Sequence, residues 1–164
     1  MVIPGTYLVG KDVQPGLYIG HGGSGVFESC YWARLADLNS EIGSIIDNDN
    51  SMGQYYIEVL PSDFALELHC QVQLYDPSMA PAKPLPTHFE PGQYLVGIDI
   101  EPGTYKGQAG TEISDSCYWE RQANLTGGLY AINGNDNSIG QYYVQVLASD
   151  KALVTHCAID FVSP

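Results

Sequence analysis

The sequence predicts an all-β protein of two tandem small antiparallel β-sandwich or barrel domains related by an internal duplication. Three observations carry that prediction: the chain is written twice, its segments bear strand signals rather than helix signals, and its cysteines form two equivalent pairs. Laying residues 2–77 on residues 89–164 needs no gap, and 37 of the 76 paired positions are identical. The strongest matches are Pro4-Gly5-x-Tyr7-Leu8-Val9-Gly10 with its copy from Pro91, and Cys30-Tyr31-Trp32-x-Arg34 with its copy from Cys117. Asn48-Asp49-Asn50-Ser51-x-Gly53-Gln54-Tyr55-Tyr56 and His69-Cys70 recur in the same order from Asn135 and at His156-Cys157. Repeats of this length are read as domains that are small for a free-standing core. The expected organisation is a first repeat over 1–77, a linker over 78–88 and a second repeat over 89–164. Three prolines in the linker, Pro81, Pro84 and Pro86, favour an extended, semi-rigid spacer.

With 18 Gly and 10 Pro, the chain leaves no window long enough for a helical apolar period. Strand signals run through each repeat in order. Residues 5–9 and 17–19 flank a turn at 12–16, and residues 29–35 and 43–46 follow. Asp47-Asn48-Asp49-Asn50-Ser51 then reads as a turn, and residues 54–60 and 65–74 complete the repeat. In the last segment Leu66, Leu68, Cys70, Val72 and Leu74 alternate with Glu67, His69, Gln71 and Gln73, which sets Cys70 inward and His69 in solvent. The second copy places Leu153, Thr155, Cys157, Ile159 and Phe161 inward in the same way.

Charge narrows the function. With 19 acidic and 6 basic side chains, the net charge is −13, which opposes phosphate backbones and anionic headgroups, so no nucleic-acid partner is expected. No apolar run approaches the roughly 20 residues of a membrane span.

Cys30 with Cys70 and Cys117 with Cys157 are the natural disulfides, because two copies that fold alike need the same internal bridge. Each closed loop is worth about 3 to 4 kcal/mol in the chain-entropy account. Such bonds place the protein outside the cell or at the cell surface. The start, Met1-Val2-Ile3-Pro4-Gly5, carries no signal peptide, so one is expected to have been removed. The alternative is a cytosolic protein with buried free thiols.

Few motifs promise chemistry. Gly20-His21-Gly22-Gly23-Ser24-Gly25 satisfies a dinucleotide-binding pattern but precedes a strand instead of a helix, and reads as a hairpin loop. Asp47, Asp49 and Asp136 are the residues for a Ca²⁺ site, against the competing reading of Asx turns; no other cofactor is expected. His69-Cys70 and His156-Cys157 lack metal-ligand spacing. Ser62-Asp63 and Ser149-Asp150 sit where turns are needed, and no nucleophile elbow is present. Asn124-Leu125-Thr126 fits a glycosylation sequon.

The aromatic content is the remaining signal, with 12 Tyr and 2 Trp. Tyrosine joins a rigid apolar face to a hydroxyl and suits glycan or protein recognition. The expected ligand face comprises Trp32, Arg34, Tyr55 and Tyr56 with Trp119, Arg121, Tyr142 and Tyr143, one ring of each Tyr-Tyr pair lying outside. The competing reading makes Trp32 and Arg34 a structural brace beside the disulfide.

The ordered blocks Pro-Gly-x-Tyr-x-Val-Gly-x-Asp-[Val/Ile]-x-Pro-Gly-x-Tyr, Cys-Tyr-Trp-x-Arg, Asn-Asp-Asn and Ser-Asp ahead of a final Cys span residues 4–75 and 91–162. In that order they resemble a small domain of bacterial secreted proteins, lipoproteins and membrane-anchored extracytoplasmic proteins. The resemblance implies an all-β, disulfide-containing extracellular module and brings no assigned activity. The Gly-Gln-Tyr-Tyr that follows Asn-Asp-Asn-Ser departs from the usual pattern of that domain. The expected function is a non-catalytic extracellular binding or cell-surface module with a glycan or protein partner. The alternative is a self-assembling component of a surface layer or filament, active as a homo-oligomer.

Overall fold

The structure is a computed structural model and describes residues 1–39 and 41–164. The chain divides into two compact units, Met1–Asp76 with Leu125–Leu129, and Pro77–Asn124 with Tyr130–Pro164. It is all-β. Among the described residues the helical pieces are single 3-10 turns of three residues, and no helix is long and apolar enough to cross a membrane.

In the first unit the strands are β1 (Gly5–Leu8), β2 (Gly16–His21), β3 (Cys30–Leu35), β4 (Ile45–Ser51), β5 (Gln54–Val59), β6 (Ala65–Leu68) and β7 (Val72–Leu74). They pair antiparallel in the orders β1-β6-β3-β4 and β5-β2-β7. Tyr18, Trp32, Ile57, Leu66, Leu68 and Val72 belong to one buried cluster drawn from both sheets, the packing of a sandwich.

The second unit contains β8 (His88–Phe89), β9 (Gly92–Leu95), β10 (Gly103–Gln108), β11 (Cys117–Gln122), β12 (Ile132–Ser138), β13 (Gln141–Val146), β14 (Ala152–Thr155) and β15 (Ile159–Ser163). Its orders are β12-β11-β14-β9 and β13-β10-β15-β8, around a cluster that includes Phe89, Tyr105, Val144 and Leu153. Residues 77–88 fall in this unit; they form a 3-10 turn at Pro77–Met79, and Lys83 pairs with Glu101.

A recurring x-Pro-Gly-x-Tyr element starts β1, β2, β9 and β10. Each Tyr hydroxyl donates to the carbonyl four residues back: Tyr7 to Ile3 at 2.9 Å, Tyr18 to Gln14 at 2.7 Å, Tyr94 to Glu90 at 2.7 Å and Tyr105 to Glu101 at 2.6 Å. The ring thereby clips the entering chain to its own strand. Glycine is required within the clip: at Gly103 φ is +152°, and a Cβ would stand 2.6 Å from both the Phe161 ring and the Ser163 carbonyl.

Two elements differ from their sequence reading. The segment 65–74 is two strands: β6 joins the sheet of β1 and β3, whereas β7 crosses to β2. The break falls at His69-Cys70, where the Cys30–Cys70 disulfide ties the corner, and Cys117–Cys157 does the same between β14 and β15. Alternation still sets His69 outward and packs Cys70 against the core, but Leu74, expected inside and paired with Tyr18 at the end of β7, is 51% exposed.

The second difference runs from residue 43 to Ser51: residues 43–46, read as a strand, are the end of the Ile42–Ser44 3-10 turn and the start of β4, and Asp47-Asn48-Asp49-Asn50-Ser51, read as a turn, continues β4 paired residue by residue with β3. The reversal comes afterwards at Gly53 and Gly140, where φ is +55° and +61°. A residue other than glycine is strained there, whereas Asn and Asp tolerate an exposed edge strand.

Candidate functional site

Register decides which of the expected ligand-face residues can reach a ligand. In the first repeat Trp32 faces Leu68 across β3 and β6, and Arg34 faces Leu66. Both lie on the core side, 6% and 1% exposed. The guanidinium of Arg34 forms a two-point pair with Asp63, Nε to Oδ2 at 2.7 Å and Nη2 to Oδ1 at 2.9 Å. Oδ2 also accepts the Leu60 amide at 2.8 Å, so Asp63 closes the turn after β5 while neutralising the arginine. Ser62-Asp63 is therefore a turn residue pair, as expected, with an additional task as the partner of a buried cation.

Trp32 is tied as firmly. Its indole Nε1 donates to Ser51 Oγ at 3.0 Å, and Ser51 Oγ donates to Asp49 Oδ2 at 2.6 Å. The second repeat repeats the chain through Trp119, Ser138 and Asp136 at 3.0 and 2.7 Å. Two of the three Ca²⁺ candidates, Asp49 and Asp136, thus have a carboxylate oxygen committed to a serine. The third, Asp47, lies opposite Arg34 on β4. Among the described residues no group of three His, Cys, Asp or Glu side chains could hold a metal ion.

Of the tyrosine pairs, Tyr55 and Tyr56 are both buried, which corrects the expectation of one outward ring. The Tyr55 ring packs against Gly20, where a Cβ would collide with its Cζ and hydroxyl, and Tyr142 packs against Gly107 in the same way. The glycine-rich stretch is thus explained in part by ring packing. The Tyr55 phenol oxygen has no hydrogen-bond partner, and burial pushes its hydroxyl up to about 12. Tyr56 meets the ring of Tyr75 edge-on with centroids 5.5 Å apart. The residue equivalent to Tyr75 is Val162, and Tyr143 is 54% exposed.

The expected face therefore fails as a face. Trp32, Arg34, Tyr55, Tyr56 and Tyr142 belong to the cores, Trp119 and Arg121 are half-buried, and Tyr143 alone of the eight is exposed.

Other residues occupy the solvent side. Tyr31 stands edge-on to His69 with centroids 4.9 Å apart, and His69 Nε2 lies 3.0 Å from Glu67 Oε1. Tyr118 and His156 repeat the ring pair at 5.2 Å. The 3-10 turns Ile42–Ser44 and Leu129–Ala131 hold out Ile42, 92% exposed, and Leu129, 85% exposed, at equivalent sequence positions. In the first repeat a cleft of about 310 Å³ opens between this turn and the outer face of β3, lined by Thr6, Tyr31, Leu35, Asp37, Leu38, Glu41, Ile42, Ser44, Ile45 and Glu67. The sequence carried a signal for the outer face: Cys30 must point inward to reach Cys70, so Tyr31 must point outward.

The model of the Rv1352-like extracellular domain matches residues 1–71 and again 86–159. The chain belongs to this family. Two matched stretches accord with the internal duplication, and the family description agrees with the disulfides in assigning the Rv1352-like pair to the extracellular side, where such bonds persist. No curated protein and no solved structure matches the chain.

Proposed function

We propose that this tandem of Rv1352-like extracellular domains is a non-catalytic binding module that recognises a protein or glycan partner on or near a cell surface, without a cofactor. The reading moves the contact surface from the Trp-Arg faces to the outer face of β3 and β11 and the adjacent 3-10 turns. The observation that carries it is the apolar tip repeated at Ile42 and Leu129. Full exposure of a large aliphatic side chain at the same place in both copies is unrewarded in water, whereas a partner surface would bury it. Tyr130, fully exposed beside Leu129, adds to the second tip. Two such tips on one chain would supply avidity.

The test installs a photo-crosslinking residue at Ile42, Leu129 and, as a control on another exposed surface, Gln73, and exposes each full chain to cell-envelope fractions and a glycan array. Adducts from positions 42 and 129 but not 73 are expected. Equal labelling from all three, or none with a silent array, would overturn the reading. Self-assembly through the edge strand β4 is less favoured, because Asp47 and Asp49 charge that edge.

A further inference from the structure

We propose that the cleft beside β3 of the first repeat binds a lysine or arginine side chain presented on an apolar-flanked segment of a partner protein. The inference rests on the binding-module reading and names the partner chemistry.

The lining combines two kinds of side chain. Leu35, Leu38, Ile42 and Ile45 are apolar and suited to an aliphatic stem, while Asp37, Glu41 and Glu67 are carboxylates suited to a cationic head. The ring of Tyr31 also lines the cleft as a further surface for a cation, and Glu67, with Oε1 3.0 Å from His69 Nε2, keeps its second oxygen for the head. A volume of about 310 Å³ is at the small end of ligand clefts, the right scale for one long side chain and its neighbours. Asp37 is set in place before any ligand arrives: its Oδ1 accepts the Ser44 hydroxyl at 2.5 Å and the Asn39 amide at 2.8 Å. The same two bonds hold its carboxyl below the usual carboxylate range, so it is ionised at neutral pH.

The second repeat supplies the internal control. The positions of Asp37, Glu41 and Glu67 are there Asn124, Gly128 and Val154, so none of the three carboxylates recurs although the surrounding strands do. The matching face of the second repeat carries one acid of its own, Glu120 in place of Ala33. Both of its oxygens are already engaged, by the Tyr118 hydroxyl and the Gln122 amide, so the three acidic positions belong to the first copy only. The net charge of −13 would draw cationic segments to the whole surface. The apolar lining is what would hold one in place.

The probes are capped Leu-Lys-Leu and Leu-Arg-Leu peptides, with Leu-norleucine-Leu as the uncharged counterpart, followed by amide NMR of the full chain at about 0.15 M salt. The cationic peptides are expected to shift amides at Tyr31, Leu35, Ile42 and Glu67 but not at Tyr118, Gln122, Leu129 and Val154. The joint Asp37→Asn/Glu41→Gln variant should weaken binding roughly tenfold. Asn already stands at the equivalent of 37 in the second repeat, and Glu67→Gln alone provides a second variant should the first fold poorly. Glu112→Gln/Asp115→Asn removes the same charge elsewhere and should change little. Shifts spread over the acidic surface, an equal loss in that control, or equal binding of the norleucine peptide would overturn the inference. If the partner still crosslinks normally from position 42 in the Asp37→Asn/Glu41→Gln chain, this inference falls while the binding-module reading stands. If the peptides bind in the cleft but no partner crosslinks, the reverse holds.

Discussion

In the first repeat the guanidinium of Arg34 is closed off from water and grips Asp63 with two hydrogen bonds; in the second, Arg121 keeps about one fifth of its side chain in solvent. Its Nε approaches Asp150 Oδ2 at 3.0 Å but out of line for a hydrogen bond, and its Nη1 donates to the Gln145 carbonyl at 3.0 Å instead. The arginine and the aspartate are identical in the two copies. Two neighbours differ: Arg34 Nη1 donates to the Thr126 carbonyl at 2.9 Å, and one strand over the exposed Ile46 on β4 corresponds to Asn133 on β12, whose amide donates to Asp150 Oδ1 at 2.9 Å. That oxygen is the one Arg34 Nη2 takes in the first repeat. A neighbour that can hydrogen-bond thus divides the carboxylate and loosens the ion pair, although both copies keep the Asp-to-amide cap, Leu60 or Leu147 N to Oδ2 at 2.8 Å.

The largest effect should come from breaking that comparison at its tighter side. Arg34→Met leaves Asp63 buried without its cation and is expected to cost about 3 to 5 kcal/mol in urea unfolding of the full chain, with a smaller loss for Arg121→Met, where the Asn133 amide still serves the buried Asp150 carboxylate. Equal losses would show that the two pairs are energetically alike. Next come the ring-on-glycine contacts, which the repeats share. Gly20→Ala and Gly107→Ala each drive a methyl group into a buried tyrosine and should cost about 1 to 3 kcal/mol, with similar falls in the urea midpoint.

The two buried phenols sharpen the contrast by pH. Desolvation raises both, Tyr55 to about 12, while Thr155 beside Tyr142 offsets part of the rise in the second repeat; Leu68 is its counterpart in the first. The folded state holds the Tyr55 proton above pH 10, where the unfolded chain releases it, so this stabilisation is complete below pH 10 and drains away up to about pH 12. Following stability above pH 10, Tyr55→Phe should remove more of the alkaline sensitivity than Tyr142→Phe. The smallest change is Asn133→Ile, which recreates the first repeat's neighbour. It frees Asp150 Oδ1 and should alter stability by less than about 1 kcal/mol, while drawing Arg121 into a two-point pair visible as slowed exchange of its guanidinium protons.

Most of the fold was legible in the residues. Alternation placed Cys70 and Cys157 against the cores, and the duplication paired the cysteines as they are found. The ligand face was misread even though the same parity settles it: if Cys30 points inward, so do Trp32 and Arg34. Partner identity was the missing link, since nothing local pairs Arg34 with Asp63, 29 residues away. The strand character of Asp47 to Ser51 was hidden for a different reason. Asn and Asp carry strong turn propensities, and β4 holds its conformation through pairing with β3 rather than by its own preference. The cleft left no motif, because it is made by four segments that meet only when β1, β3 and β6 pair and the 3-10 turn packs beside them.

The sequence by itself determined the tandem organisation, the all-β class, the two disulfides and the inward side of the final strands, because repetition and a period of two are properties of the chain alone. The tertiary structure decided which equivalent residues behave alike. Tyr56 lies against Tyr75 and is buried, whereas Tyr143 stands exposed with Val162 at the matching position; Arg34 has a whole carboxylate and Arg121 shares one with Asn133. A side chain's exposure and bonding are set by neighbours brought from other strands, and the repeats differ in those neighbours even where the residues themselves are the same.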